Sequence, residues 1–204
     1  MSEKRGLDRR IVRTRVMIFD AVIAMMQKQS YAEISIVDIA DKANINRSTI
    51  YAHFVDKEDL LEQMIAHNLE LLTQSMQEAK PYTPSEPAVN EPDPIFLSLF
   101  EHAFEHSSFY RVMLLQTTEG GFRRKLQEAI RDYFFGRITK LGLEQKLHVP
   151  LDLLLDYISL SSSGILERWL DSHQVYSPHH MALQLTRVAS MGIYRSMGVN
   201  AENS

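Results

Sequence analysis

Ile36 to Leu60 reads IVDIADKANINRSTIYAHFVDKEDL. Ser35 precedes this stretch as a helix cap, and Ile36, Ile39, Ala40 and Ala43 then share one side of a short helix. Asn44-Ile45-Asn46 interrupts the pattern. A turn here needs a residue that tolerates positive φ, and asparagine does so at modest cost. Ile45 stands where an apolar side chain pins the following helix against the preceding one. Asn46 caps a third helix expected to end near Phe54, and Asp56 caps a fourth running from Lys57 to about Lys80. Two short helices separated by about three residues make a helix-turn-helix unit, here spanning about Ser35 to Phe54.

In such a unit the second helix lies in the major groove with its N-terminal residues facing base edges. Those residues are Asn46, Arg47, Ser48 and Thr49. The Arg47 guanidinium can fork onto guanine, while Ser48 and Thr49 can bond bases or phosphates. Two short helices and a polar turn also occur in many all-α proteins that never meet nucleic acid. Two features favour DNA. The outer side of the third helix carries Arg47, Ser48, Thr49, Tyr51, Ala52 and His53, with no acid among them. The fourth helix opens on Asp56-Lys57, and a helix N-terminus with a lysine in its first turn suits a phosphate. Glu58 and Asp59 fit that helix end through capping and the dipole, provided they turn away from DNA.

Asp38-Ile39-Ala40, Ala43-Asn44-Ile45-Asn46, Thr49-Ile50-Tyr51, His53-Phe54 and Lys57-Glu58-Asp59-Leu60 follow one another at fixed spacing. Together they closely resemble the signature of the TetR family of bacterial one-component regulators. The likeness covers about residues 10 to 65. It implies that Tyr51, His53 and Lys57 contact phosphates and that Arg47, Ser48 and Thr49 face the groove. Ser35 and Asn46, at the two helix starts, complete the expected DNA-binding set. Asn44 and Ser48 occupy positions where the family often has glycine. A side chain at Ser48 adds bulk near the DNA and alters which bases can be read.

The 204-residue chain has room for a small domain joined to a medium one. It contains no cysteine, which excludes disulfides, thiolate zinc sites and a cysteine nucleophile and suits a reducing cytoplasm. The net charge of −4 argues against a polyanion as partner, but the distribution matters more than the total. Residues 1–15 hold Lys4, Arg5, Arg9, Arg10, Arg13 and Arg15 against Glu3 and Asp8 only. A positive head of this kind fits a regulator with a separate sensing domain, and equally a frayed basic tail. Val16 to Met26 follows several arginines as a signal-peptide core would, yet Asp20 interrupts it and no small-residue cleavage site follows. An amphipathic helix through Val12, Val16, Phe19, Ile23 and Met26 explains the stretch better. No apolar run approaches the ~18 residues of a membrane span, so no membrane partner is expected.

The expected fold is all-α: an N-terminal helix-turn-helix domain over residues 1–56 and a helical effector-binding and dimerisation domain over 57–204. A proline-rich loop at 81–94 (PYTPSEPAVNEPDP) interrupts the latter, since proline removes a donor and restrains the residue before it. Asp93-Pro94, Pro150 and Ser177-Pro178 open further helices, and Gly120-Gly121 breaks the pattern between them. FEHAFEHSSFYRVML and SSSGILERWLDSHQVYSPHHMALQL resemble a helical subgroup that includes regulators of dihydroxyacetone kinase operons. Phe104, Tyr110, Met113, Phe134 and Trp169 are candidates to line a small-molecule pocket, though each taken alone reads more readily as core. The Ser161-Ser162-Ser163-Gly164 face, with Leu155, Ile158, Leu185, Val188 and Ala189, suggests a two-fold four-helix interface between copies, or packing of the same helices within one chain. His102 and His106 have the spacing of a metal pair, but no third ligand follows and a solvated helix face is the plainer reading.

These features favour a DNA-binding regulator, acting as a repressor that leaves a palindromic operator in double-stranded DNA when an effector binds. The homodimer would be cytoplasmic, with no cofactor and no metal. The alternative is a helical protein-interaction or ligand-binding module with little sequence-specific DNA binding. An enzyme is not favoured, because no nucleophile elbow, phosphate loop or paired catalytic carboxylates are present.

Overall fold

The computed structural model describes residues 2–80, 90–117 and 119–196, with side chains left undescribed at residues 2–9 and 193–195. Most of the proline-rich loop, residues 81–89, therefore lies outside the described residues. All regular structure among the described residues is helical: α1 (Ser2–Met26), α2 (Ile36–Ala43), α3 (Arg47–Tyr51), α4 (Lys57–Glu78), α5 (Pro94–Glu105), α6 (Ser107–Arg111), α7 (Phe122–Lys140), α8 (Leu151–Asp171) and α9 (Pro178–Ser196). A wide helical turn, Val112–Gln116, extends α6.

The chain divides into two compact units. One combines Met1–Asn68 with Ser108–Phe122, and the other combines Leu69–Ser107 with Arg123–Ser204. The division expected at residue 56 thus falls inside the first unit. Its reach to Asn68 follows from α4, whose first half buries Leu60, Leu61, Met64 and Ile65.

In the first unit α2 packs on α1 and on α3. The buried face of α1 is Ile18, Phe19, Ala21, Val22 and Met26, while Val12 is 56% and Val16 38% exposed. The sequence pattern of α1 admits either stripe. Phe19 and Phe54 meet with ring centres 5.8 Å apart, and the Arg15 guanidinium lies over both rings. Truncating Phe54 to alanine should cost on the order of 3–5 kcal/mol, the usual range for a buried phenylalanine. Segment 108–122 adds an aromatic cluster of Phe109, Tyr110 and Phe122, with ring centres 5.0–5.5 Å apart. It closes on α4 at Gly120. The backbone there has φ +70°, which favours glycine, and a Cβ would lie 2.5 Å from the Ile65 Cδ1 methyl, which would have to shift.

In the second unit α5 packs on α9. Asp93 caps α5 by accepting from Ile95 N–H, and Pro94 occupies the first helical position. Phe100 meets Trp169 edge-on at 5.3 Å, and Phe96 meets Phe134 at 5.9 Å. Arg123 pairs with Glu167, and Arg131 with Asp152 and Asp156, joining α7 to α8.

Candidate nucleic-acid interface

Two caps and one left-handed residue set the local geometry. Ser35 Oγ accepts from Asp38 N–H (3.2 Å), and the Asp38 carboxylate accepts from Ser35 N–H (2.9 Å) and Oγ–H (2.6 Å). This reciprocal box satisfies two donors at the start of α2. The Ser35 hydroxyl bond, then the backbone bond, holds the Asp38 carboxyl below the usual carboxylate range. Asn44 sits at φ 53°, ψ 49°, the left-handed conformation expected of the turn, and its N–H reaches back to the end of α2. Ile45 is half-buried, and its N–H donates to the Ala40 carbonyl. Asn46 Oδ1 then accepts from Ser48 N–H at 3.2 Å and starts α3.

Helix α3 is short. It buries Ile50 and ends at Tyr51, three residues before the expected Phe54. Asn46, Arg47, Ser48 and Tyr51 are exposed, Tyr51 to 59%, while Thr49 and His53 are half-buried. Arg47, Ser48 and Tyr51 are therefore accessible on a helix that carries no acid, with Thr49 partly covered. Ser35 is exposed as well, with its hydroxyl engaged in the cap. Acids at the start of α4 are partly consumed by capping. Asp56 Oδ1 accepts from Asp59 N–H (2.7 Å), and the Asp59 carboxylate accepts from Val55 N–H and Gln63 Nε2–H. The Gln63 bond, followed by the Val55 bond, keeps Asp59 in its charged form to lower pH than usual.

Lys57 is arranged differently from what the resemblance implies. Its ammonium donates to the carbonyls of Tyr31 (2.7 Å), Ala32 (3.1 Å) and Ile34 (2.9 Å), and it lies 4.7 Å from the Tyr31 ring centre. An ammonium has three donors, and all three are used. In return, Tyr31 Oη–H donates to the Lys57 carbonyl. Burial, then Glu58, raises the Tyr31 hydroxyl above the usual phenol range, so it stays a donor. Tyr31 is the residue that sequence reading missed. It stands 26 positions from Lys57, and no local spacing signals the pair.

The five candidate pocket residues are divided between the two units. Tyr110 and Met113 are fully packed in the first unit, whereas Phe104, Phe134 and Trp169 belong to the second. Phe104 lies beside Trp169 with 51% of its surface exposed. The reason is segment 108–122, which leaves the C-terminal half to complete the first unit. Of the candidate dimer residues, Leu155, Ser162 and Leu185 are buried within the second unit, Ile158 and Val188 are half-buried, and Ala189 is exposed. Of the small-residue run of α8, Ser162 and Ser163 are turned inward, where Ser163 Oγ accepts from Gln127 of α7. The outward stripe is instead Leu153 (59% exposed), Tyr157 (46%), Leu160 (55%) and Gly164. His102 is buried, not solvated. Burial first, and then His106 at 4.4 Å between ring centres, pushes its imidazole down to about 4. No group of three His, Asp or Glu residues suited to a metal occurs among the described residues. No described helix is long and apolar enough to cross a membrane.

Residues 18–64 match the family described as bacterial regulatory proteins, tetR family, and residues 90–191 match a transcriptional regulator C-terminal region. The chain is 25% identical over 194 residues to YxbF of Bacillus subtilis (strain 168), an HTH-type transcriptional regulator. That alignment covers 95% of this chain and 49% of YxbF, so the chain spans about half the length of this relative. Among solved structures, FadR of Bacillus subtilis in complex with stearoyl-CoA superposes with a TM-score of 0.66 at 18% identity, covering 87% of this chain and 98% of FadR. The dihydroxyacetone kinase operon activator DhaS gives a TM-score of 0.62 at 18% identity, covering 88% and 96%. At these identities the two structures establish the fold.

Proposed function

The chain belongs to the tetR family of bacterial transcriptional regulators, and on that premise we propose that it binds a palindromic operator in double-stranded DNA as a homodimer and leaves it when a small molecule occupies the C-terminal helices. The family is one of regulators and not of enzymes. The observation that carries the proposal is the exposed, acid-free ridge of α3, presented by the left-handed Asn44 and the Asn46 cap.

Arg47 reads a base edge, bidentate to guanine, with Ser48 and Thr49 beside it in the groove. Tyr51 and His53 bond phosphates and fix register. At the start of α4 the phosphate is met by backbone N–H groups of the first turn, which have no intrahelical acceptor. Lys57 holds that helix end against the Tyr31–Ile34 turn. Two copies join through the outward stripe of α8. A dimer sets two α3 helices about 34–36 Å apart, one turn of B-DNA. An effector that binds one arrangement of the C-terminal helices better than the other shifts this spacing and with it DNA affinity. FadR was solved with stearoyl-CoA, which supports a small-molecule effector for a chain of this fold.

The test is selection of bound duplexes from a random pool by the full chain, followed by titration of the winning site against salt. The expected result is a palindrome whose half-sites lie one helical turn apart, with affinity falling steeply as salt rises. Recovery of no palindrome, or a flat salt response, defeats the proposal.

A further inference from the structure

The end of α4, the start of α5 and the second half of α7 enclose a cleft of about 450 Å³ in the second unit, within the usual size range for a small-molecule site. Its apolar surface comes from Ile95, Leu141 and the ring of Tyr133, and its charged rim from Lys80, Lys140 and Arg137. Asp132 is the acid in the lining.

Arg137 is fixed to the wall. Its guanidinium donates to Asp93 Oδ2 at 2.9 Å, and both side chains are largely buried, at 16% and 9% exposure. Asp93 is itself held by the cap bond to Ile95 N–H, and its own N–H donates to Thr186 Oγ1 at 2.7 Å. Elements α5, α7 and α9 thus meet at one charged node on the edge of the cleft. That node neutralises Arg137, and the remaining charged residues of the lining are Lys80, Lys140 and Asp132. Both lysines are exposed, and neither forms an ion pair with a described residue.

Lysines at helix C-termini have a plain explanation in the helix dipole. It does not account for Gly136. This residue lies inside α7 in the wall of the cleft, and a Cβ built on it would meet nothing within 4 Å. No close packing calls for glycine there, and glycine in a helix interior costs roughly 0.5–1 kcal/mol relative to alanine. The missing side chain keeps the cleft open between an apolar floor and a cationic rim.

We propose that this cleft binds an amphipathic carboxylate, its chain on Ile95, Tyr133 and Leu141 and its anionic head between Lys80 and Lys140. In calling this ligand the effector, the inference rests on the regulator reading above. Binding itself does not depend on it.

The experiment is calorimetric titration of the full chain with octanoate, octan-1-ol and octylammonium. Octanoate should saturate one site and bind at least tenfold more tightly than the alcohol or the cation. Lys140→Glu should weaken octanoate at least tenfold, and Gly136→Leu should abolish binding while the circular dichroism melt stays cooperative. Should Gly136→Leu not fold, Lys80→Gln/Lys140→Gln on the exposed rim tests the same site, with an expected loss of at least tenfold. Equal binding of octylammonium, no binding of octanoate, or variants that bind octanoate like the parent chain would overturn the proposal. Duplex binding is scored separately. A chain that binds octanoate but no duplex keeps the site and loses the regulator reading, and the reverse keeps the regulator and loses the site.

Discussion

An ammonium held by three carbonyls has no donor left for a phosphate, and this changes what substitution of Lys57 should do. A lysine that neutralised a phosphate would contribute about one unit to the slope of log affinity against log salt. Lys57→Ala is expected to weaken duplex binding and to lower stability by about 1–3 kcal/mol, as charge-assisted bonds are lost, yet to leave that slope unchanged. Tyr31→Phe should weaken binding in the same slope-neutral manner, because it removes the reciprocal bond to the Lys57 carbonyl. Fluorescence anisotropy at four salt concentrations reads both variants, and a slope reduced by one unit in Lys57→Ala would restore the ammonium as a phosphate contact. At this scale the sequence was partly legible. The left-handed Asn44 and the caps at Ser35 and Asn46 follow from residue type and neighbours within four positions. The partners of Lys57 lie 23–26 positions away, and only the folded chain brings them to it.

Helix α8 shows what happens when an element is apolar on more than one side. Leu155, Leu166, Trp169 and Leu170 are buried, while Leu153, Tyr157 and Leu160 line the opposite, exposed side. Periodicity marks such a segment as a helix but does not rank its faces, and Leu155 and Ser162, read as facing either a second copy or the rest of the chain, are buried within one copy. The same ambiguity rotated the buried stripe of α1. Helix starts were legible because a capping side chain followed by proline or an apolar run is a local signal, as at Asp93-Pro94. If the outward stripe of α8 joins two copies, Leu160→Glu should yield a monomer by light scattering with an unchanged melting temperature. Leu155→Glu should instead unfold the bundle, since it places an unpaired charge in the interior. A Leu160→Glu chain that remains dimeric would move the interface elsewhere.

The whole molecule does not divide where its sequence suggests. Segment 108–122 returns from the C-terminal half to supply Phe109, Tyr110, Met113 and Phe122 to the unit that carries α1 to α3. No composition signal marks that return, because these residues read like any other buried helix. Burying side chains of this size is worth about 1.5–3 kcal/mol each, comparable in sum to the whole stability of a small domain. A fragment ending at residue 56 or 68 is therefore expected to melt without cooperativity, whereas the full chain should show a cooperative transition. Calorimetry of the two fragments checks this, and a sharp heat-absorption peak from either would show that the first unit is self-sufficient.

Descent leaves a mark on such an arrangement. A crossover that exchanged only the leading third of this gene with that of a relative would separate α4 from Gly120, which it meets in the fold. The Ile65 methyl lies where a Cβ on residue 120 would stand, so a side chain at 120 forces it to move as well as straining a backbone at φ +70°. Viable recombinants should therefore inherit residues 1–68 and 108–122 from the same parent, although an unrelated stretch of gene lies between them. A DNA-reading head that can be altered by point mutation is, in this chain, poorly suited to being traded as a cassette.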